Sequence, residues 1–196
     1  MQLIEIFDTD IPLAWNKNGN IEQAVFKCDE EIYVIQIEIK PLLDIPELKG
    51  KKTAEVSFFK HVEGEENRDK NFSTNQTKTF SISVYSVVGR NLKRKFADFD
   101  AFYFSAEKRH SNDVKEFDRK KQIYRSLADR LRKDISYNIK IYETENNSSA
   151  TFIVSDIKFS KETTEKTGFV CKLDEAMESF YKSEVWANMP TLKRKE

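Results

Sequence analysis

The sequence has little of the residues that mark several common protein classes. Five Gly and four Pro in 196 residues argue against a loop-dominated scaffold. Its two cysteines, Cys28 and Cys171, lie far apart without CxxC spacing, so they predict neither a zinc site nor the several bridges of a small secreted domain. We expect two free thiols in a reduced, cytosolic environment, with a Cys28–Cys171 disulfide as the alternative.

Net charge is also absent, because 33 basic side chains balance 33 acidic ones. A dedicated DNA-binding domain usually carries a basic excess, so nucleic acid is not the expected partner. No apolar run approaches the roughly twenty residues that span a bilayer, which predicts a soluble protein without a membrane partner. The sequence contains no P-loop, G-x-S-x-G or H-E-x-x-H motif, and we expect no metal and no cofactor.

Apolar and aromatic residues are abundant. Hydrophobic residues make up 39% of the chain, with fifteen Phe and seven Tyr, enough to build a core at this length. We expect one domain over 1–196, with a core at about 22–159 and a C-terminal helix and basic tail over 172–196.

The first half of the chain predicts strands. Residues 24–40 contain two runs around a tight turn at Asp29 and Glu30, and the second run ends before Pro41. Alternating residues 54–58 predict a third strand. The period-two positions of the second run are Tyr33, Ile35, Ile37 and Ile39.

Residues 79–96 fit two patterns. In its first residues, apolar side chains alternate with serines, as in a strand. A longer set of apolar positions, however, lies on one face of a helix. We therefore expect a helix that begins near Thr79, with a strand over its first residues as the alternative. The helical set is Phe80, Val84, Val87, Val88, Leu92 and Phe96.

The stretch "DAFYFSA" is too apolar and too short for a surface helix. It predicts a buried central strand with Phe102 and Phe104 on one face and Tyr103 on the other. A helix over 113–134 should cover one face, leaving its arginines outside and not needed for folding. Because helices flank this strand in sequence, we expect it to run parallel to its neighbours.

Two further strands, "YNIKIYE" and "TFIVSDIKF", precede a polar connection, "SKETTEKTG", and a terminal amphipathic helix. The element order predicts an α+β fold, with a mixed, mostly antiparallel central sheet flanked by helices.

That order resembles the GNAT N-acetyltransferase fold. In that family an antiparallel meander leads to a helix, a strand, and a helix with an "N..A..LY" pattern, whose tyrosine often serves as general acid for the coenzyme A thiolate. "DRKKQIYRSLADRL" places Tyr124 at that position, with Arg119 instead of the usual Asn. The resemblance implies acetyl-CoA as cofactor and Glu38 as a base acting through water; the alternative, an ordinary exposed glutamate of a strand, is the more common case.

The chain departs from that family at the pyrophosphate loop. The family uses glycines there, because backbone amides must approach the phosphates without an intervening Cβ. The corresponding stretch, "STNQTKTFS", contains no glycine. Either Thr77, Lys78 and Thr79 bind the pyrophosphate through their hydroxyls and ammonium group, or no pyrophosphate binds. We favour the second interpretation, in which Tyr124 is a core residue.

Residues 80–135 also resemble a group of small bacteriophage proteins, through "YFSA" and "RKKQIYRSLADRL". This resemblance implies a non-catalytic protein of the virion or host cytoplasm, which binds a host or phage protein. Acetyl-CoA-dependent N-acetyltransferase and nucleic-acid-binding accessory protein are the alternatives. The candidate binding patch consists of Arg94, Arg119, Arg125 and Arg130.

Overall fold

The computed structural model describes residues 4–5, 12–28, 30–42, 45–61, 82–107, 114–135 and 139–172. These ranges form a nine-stranded, mostly antiparallel sheet and three α-helices. The strands are β1 (Ile4–Glu5), β2 (Trp15–Asn18), β3 (Ile21–Cys28), β4 (Glu31–Ile39), β5 (Thr53–His61), β6 (Ala101–Glu107), β7 (Lys140–Glu145), β8 (Ser149–Ser155) and β9 (Val170–Cys171). The helices are α1 (Ile82–Phe96), α2 (Val114–Ile135) and α3 (Lys161–Thr167), with a short 3₁₀ helix at Pro46–Leu48.

The strand order in the sheet is β1-β3-β4-β5-β6-β8-β7-β9, and β2 also pairs with β3. β6 is central, as predicted, and runs parallel to β5. The expectation that it is parallel to both neighbours is wrong, because β8 is antiparallel to it. The reason is a hairpin: α2 leads from β6 to β7, and the chain then turns back so that β8 inserts between them.

One face of the sheet packs against α1 and α2. Phe102 and Phe104 of β6 lie on this first face and are fully buried. The predicted helix over residues 79–96 is confirmed from Ile82 onward. The helical residues that fill this core include Val84, Val87, Val88 and Leu92 of α1 and Phe117, Tyr124, Leu127 and Leu131 of α2.

The second face carries Tyr103, as predicted, which packs in a smaller core with Tyr142 and Ile153. Ile45, Leu48 and Phe159 cover this core from outside the sheet. A separate group on the same face consists of Val25, Val34 and Phe59.

The polar connection expected at 160–168 is in fact α3. The Ser160 hydroxyl accepts the backbone N–H of Thr163 as an N-cap, and Gly168 ends the helix in the left-handed region at φ 72°. These cap residues were present in the sequence, but no apolar periodicity accompanied them.

Cys28 and Cys171 are both free. Their strands, β3 and β9, take the second and eighth places in the strand order, which puts them roughly 29 Å apart at about 4.8 Å per strand. The alternative disulfide is therefore excluded. No helix within the described ranges is long and apolar enough to cross a membrane. Three groups of predicted residues lie outside the described ranges. They are Thr77 and Lys78 of the candidate cofactor site, the start of the first helix at 79–81 (which includes Thr79), and the expected terminal helix beyond residue 172.

Candidate functional site

β5 and β6 pair over only part of their length. The parallel register joins three residues of each strand, Thr53–Glu55 with Ala101–Tyr103, although β5 continues to His61 and β6 to Glu107. In the described part of the chain the two strands are thus unpaired with each other beyond Glu55 and Tyr103. This point, where two central parallel strands separate, is the candidate site.

Tyr124 reaches the site from α2. Its ring centroid lies 5.5 Å from that of Phe104, and the residue is 3% exposed. Burial raises the pKa of the Tyr124 hydroxyl, and the Glu55 carboxylate raises it further. The phenol therefore stays protonated at neutral pH, as an ordinary tyrosine does, and can donate a hydrogen bond, although its raised pKa makes it a weaker acid.

Tyr103 reaches the same point from the second face. Burial raises the pKa of its hydroxyl, with smaller contributions from the carboxylates of Glu55 and Glu38. Glu55 thus interacts with Tyr124 and Tyr103, two phenols that belong to opposite faces of the sheet. No sequence pattern indicated Glu55, because its position depends on how β5 is aligned with β6.

Glu38 lies opposite Glu55 in the register of β4 and β5. Lys40 Nζ donates to Glu55 Oε2 at 3.1 Å. That hydrogen bond raises the pKa of Lys40, and Glu38 contributes a smaller effect. Glu38 therefore acts electrostatically on Lys40 and Tyr103, whereas the carboxylate that acts on Tyr124 is Glu55.

The four arginines of the predicted patch all lie on the helical layer, defined here as α1 and α2. Arg94 is exposed on α1. Arg119 faces α1 near Tyr85. Burial raises the pKa of the Tyr85 hydroxyl, and the positive charge of Arg119 acts in the opposite direction. The Arg130 side chain crosses α1 at Gly89.

Arg125 connects α2 to the sheet. It forms an ion pair with Glu143, which is 6% exposed, and lies 3.8 Å from a Glu145 oxygen. The hydrogen bond to Glu143 raises the pKa of Arg125. Arg125 is exposed, as expected of the arginines of α2, but because it pairs with a buried carboxylate we expect its removal to destabilise the fold.

The helical layer concentrates positive charge. α1 has four basic and no acidic residues, and α2 has eight basic and four acidic ones. Together they carry eight more basic than acidic residues, while the whole chain is neutral. The balancing acidic residues lie elsewhere in the chain, many of them outside the described ranges.

No group of three or more His, Cys, Asp or Glu in the described ranges is arranged to hold a metal ion. Comparison with known proteins gives no relative: no protein-family model matches the chain, and neither a curated protein nor a solved structure shows significant similarity to it.

Proposed function

We propose that this chain has a GNAT-like topology and works by binding another macromolecule, of phage or host origin, without catalysis. The order of elements supports the topology: the antiparallel meander β2 to β5 leads to α1, then β6, then α2 with Tyr124. The stretch at 73–81, where the resemblance places a pyrophosphate loop, has no glycine, which disfavours the enzymatic alternative.

The observation that carries the proposal is the excess of basic residues in the helical layer. α1 and α2 together contain eight more basic than acidic residues, in a chain of zero net charge. A surface of one sign attracts an oppositely charged partner and accelerates its association, even when the net charge of the molecule is zero. The helical layer is therefore proposed as the binding surface, and the partner as an anionic macromolecule.

The test is a pull-down from the cells in which the protein occurs. It compares the macromolecules that bind to the native chain with those that bind to two variants. Lys93→Gln with Arg94→Gln removes two exposed cations from α1. The matched control, Lys158→Gln with Lys161→Gln, removes two exposed cations near the start of α3. We expect the first variant to lose the bound macromolecule and the control to retain it. Equal recovery by all three proteins would contradict the proposal.

An acetyl-CoA-dependent N-acetyltransferase is the second candidate, favoured by the interaction of Glu55 with Tyr124 where β5 and β6 separate. The cofactor would supply the acetyl group that is transferred to an amine. Under this candidate Tyr124 would donate a proton to the departing sulfur, and Glu38, or Glu55 opposite it in the sheet, would accept the proton of the amine.

Thermal melting with acetyl-CoA distinguishes the two candidates. A ligand present at 100 times its Kd stabilises the folded state by about 2.7 kcal/mol, which raises the Tm by several degrees. Such a shift at millimolar acetyl-CoA would favour the enzyme, and Tyr124→Phe should then reduce turnover without changing the Tm of the free protein. No shift at that concentration would remove this candidate.

A further inference from the structure

Two carboxylates oppose each other on the second face of the sheet. Glu38 of β4 lies directly opposite Glu55 of β5 in the antiparallel register, which puts their Cβ atoms about 4.5–5.5 Å apart. Like charges in this arrangement destabilise a sheet. Lys40 Nζ binds Glu55 Oε2 at 3.1 Å, whereas Glu38 forms no ion pair or hydrogen bond with the part of the chain that the structure describes. The carboxylate pair therefore keeps one negative charge that Lys40 does not neutralise.

Tyr103 continues this row of residues on β6, because it is paired with Glu55 in the parallel register. Tyr103 is 3% exposed, yet its hydroxyl forms no hydrogen bond with another described residue. Burial raises the pKa of this hydroxyl, and the charges of Glu55 and Glu38 raise it further, so the hydroxyl lies within reach of both carboxylates. Buried polar groups are normally hydrogen-bonded, and this unpaired hydroxyl therefore indicates a place for a ligand.

The three groups match the donors of a primary ammonium ion. Such an ion has three N–H donors and no acceptor, and Glu38, Glu55 and the Tyr103 hydroxyl each offer an acceptor oxygen from adjacent strands. Its positive charge would offset the repulsion between the carboxylates. A metal ion fits less well. Within the described ranges no three His, Cys, Asp or Glu side chains are arranged to hold one, and Ca²⁺ and Mg²⁺ take about six or more oxygen ligands.

We infer that Glu38, Glu55 and Tyr103 bind a primary ammonium group on the second face of the sheet, where β5 and β6 separate. Small amines and lysine side chains share this chemistry, and the experiment below separates the two sources. The helical layer covers the first face, so this site differs from the surface of the proposed function and does not depend on it. The inference also holds whether or not the bound amine is acetylated.

Titration with n-butylammonium, which resembles the lysine side chain, tests the inference. Amide NMR shifts of the native chain report the binding, and we expect saturable shifts around Glu38, Glu55 and Tyr103. Tetramethylammonium is the ligand control, because it has the same charge but no N–H donor. It should bind about tenfold more weakly or worse, since it makes no charge-assisted hydrogen bond. An N-acetyl-lysine amide that binds as tightly as butylammonium would indicate a lysine of a protein, and weaker binding would indicate a small amine.

Four variants locate the site. Glu38→Gln should weaken butylammonium binding by about tenfold, because a charge-assisted hydrogen bond is lost, without lowering the Tm, because the contact between like charges is relieved. Tyr103→Phe should also weaken binding. Lys40→Gln should strengthen it, because the Lys40 ammonium repels the ligand. The matched control Glu162→Gln removes an exposed carboxylate from α3 and should leave binding unchanged.

Three results would each overturn the inference. They are the absence of saturable shifts with butylammonium, equally tight binding of tetramethylammonium, and equal weakening by Glu38→Gln and Glu162→Gln. If Tyr103→Phe fails to fold, Glu38→Gln and Lys40→Gln still decide, because their expected effects on binding have opposite signs.

Discussion

The side chain of Arg130 lies across Gly89, so that a Cβ added at the glycine would stand 3.2 Å from Arg130 Cδ and 3.4 Å from Nε. Two effects oppose each other at this crossing. Gly in a helix interior costs about 1 kcal/mol relative to Ala, whereas the added methyl is too close to Arg130 by a few tenths of an ångström. Since Arg130 is partly exposed and has several rotatable bonds, it can move.

We therefore expect Gly89→Ala to increase the free energy of unfolding by about 0.5–1 kcal/mol, measured in urea. The same substitution in an Arg130→Ala background is the control. If Gly89→Ala destabilises the native chain but stabilises the Arg130→Ala variant, the arginine is fixed in its place and the expectation is wrong.

The contact between α2 and the sheet depends on Leu127, which is fully buried beside the aromatic core. Leu127→Ala should lower the free energy of unfolding by about 2–5 kcal/mol, because it leaves a cavity in a close-packed interior. Arg130→Ala, on the same helix, should change it by no more than roughly 0.5 kcal/mol. Similar losses from the two substitutions would mean that the cationic side of α2 contributes as much to folding as its apolar side.

Arg125 and Glu143 should be coupled in stability. Arg125→Ala leaves the buried Glu143 carboxylate without its ion-pair partner, which costs about 1–3 kcal/mol for an unsatisfied buried group. The double variant Arg125→Ala with Glu143→Leu should recover much of this loss, because the unpaired charge is removed. A double-mutant cycle in urea measures the coupling. Additive losses would show that the pair is solvated rather than structural.

The elements that the sequence predicted correctly are those whose buried apolar residues recur at the regular spacing of a strand or a helix. β4 showed alternation, and the helix expected over 113–134 was placed over one face of the central strand, so both were assigned to the correct element and face. α3 was missed because Thr163 is its one buried residue, which leaves no apolar face for a periodicity argument to detect.

The direction of β8 and the role of Glu55 depend instead on contacts between distant segments. The β7–β8 hairpin places β8 beside β6, so that the strand next to β6 runs antiparallel to it. No local pattern in the sequence shows this. In the sequence, Glu55 is one polar residue of an ordinary alternating strand. Its pairing with Tyr103 puts it at the point where β5 and β6 separate, and that pairing is not visible in the sequence. The ion pair of Arg125 with Glu143 is likewise invisible to a helical wheel.

Glu47 should make the stability of the α3 region depend on acid pH. Its carboxylate accepts the Ser160 backbone N–H at 2.8 Å, and the Thr163 hydroxyl lies 2.9 Å from both of its oxygens. Burial works to raise the pKa of Glu47, but the hydrogen bonds from Ser160 and Thr163 outweigh it and lower the pKa from 4.5 to about 2.

A carboxyl group whose pKa is depressed by folding stabilises the folded state at pH values above its unfolded pKa. The contribution of Glu47 should therefore be complete above about pH 4.5 and disappear as the pH falls toward about 2. Glu47→Gln should cost about 1 kcal/mol at pH 7, the typical net value of such hydrogen bonds. Urea unfolding of both proteins from pH 7 to pH 2.5 measures the difference, which should shrink below pH 4.5. A difference that stays constant over this range would show that the Glu47 charge is not what holds α3 to the 3₁₀ helix.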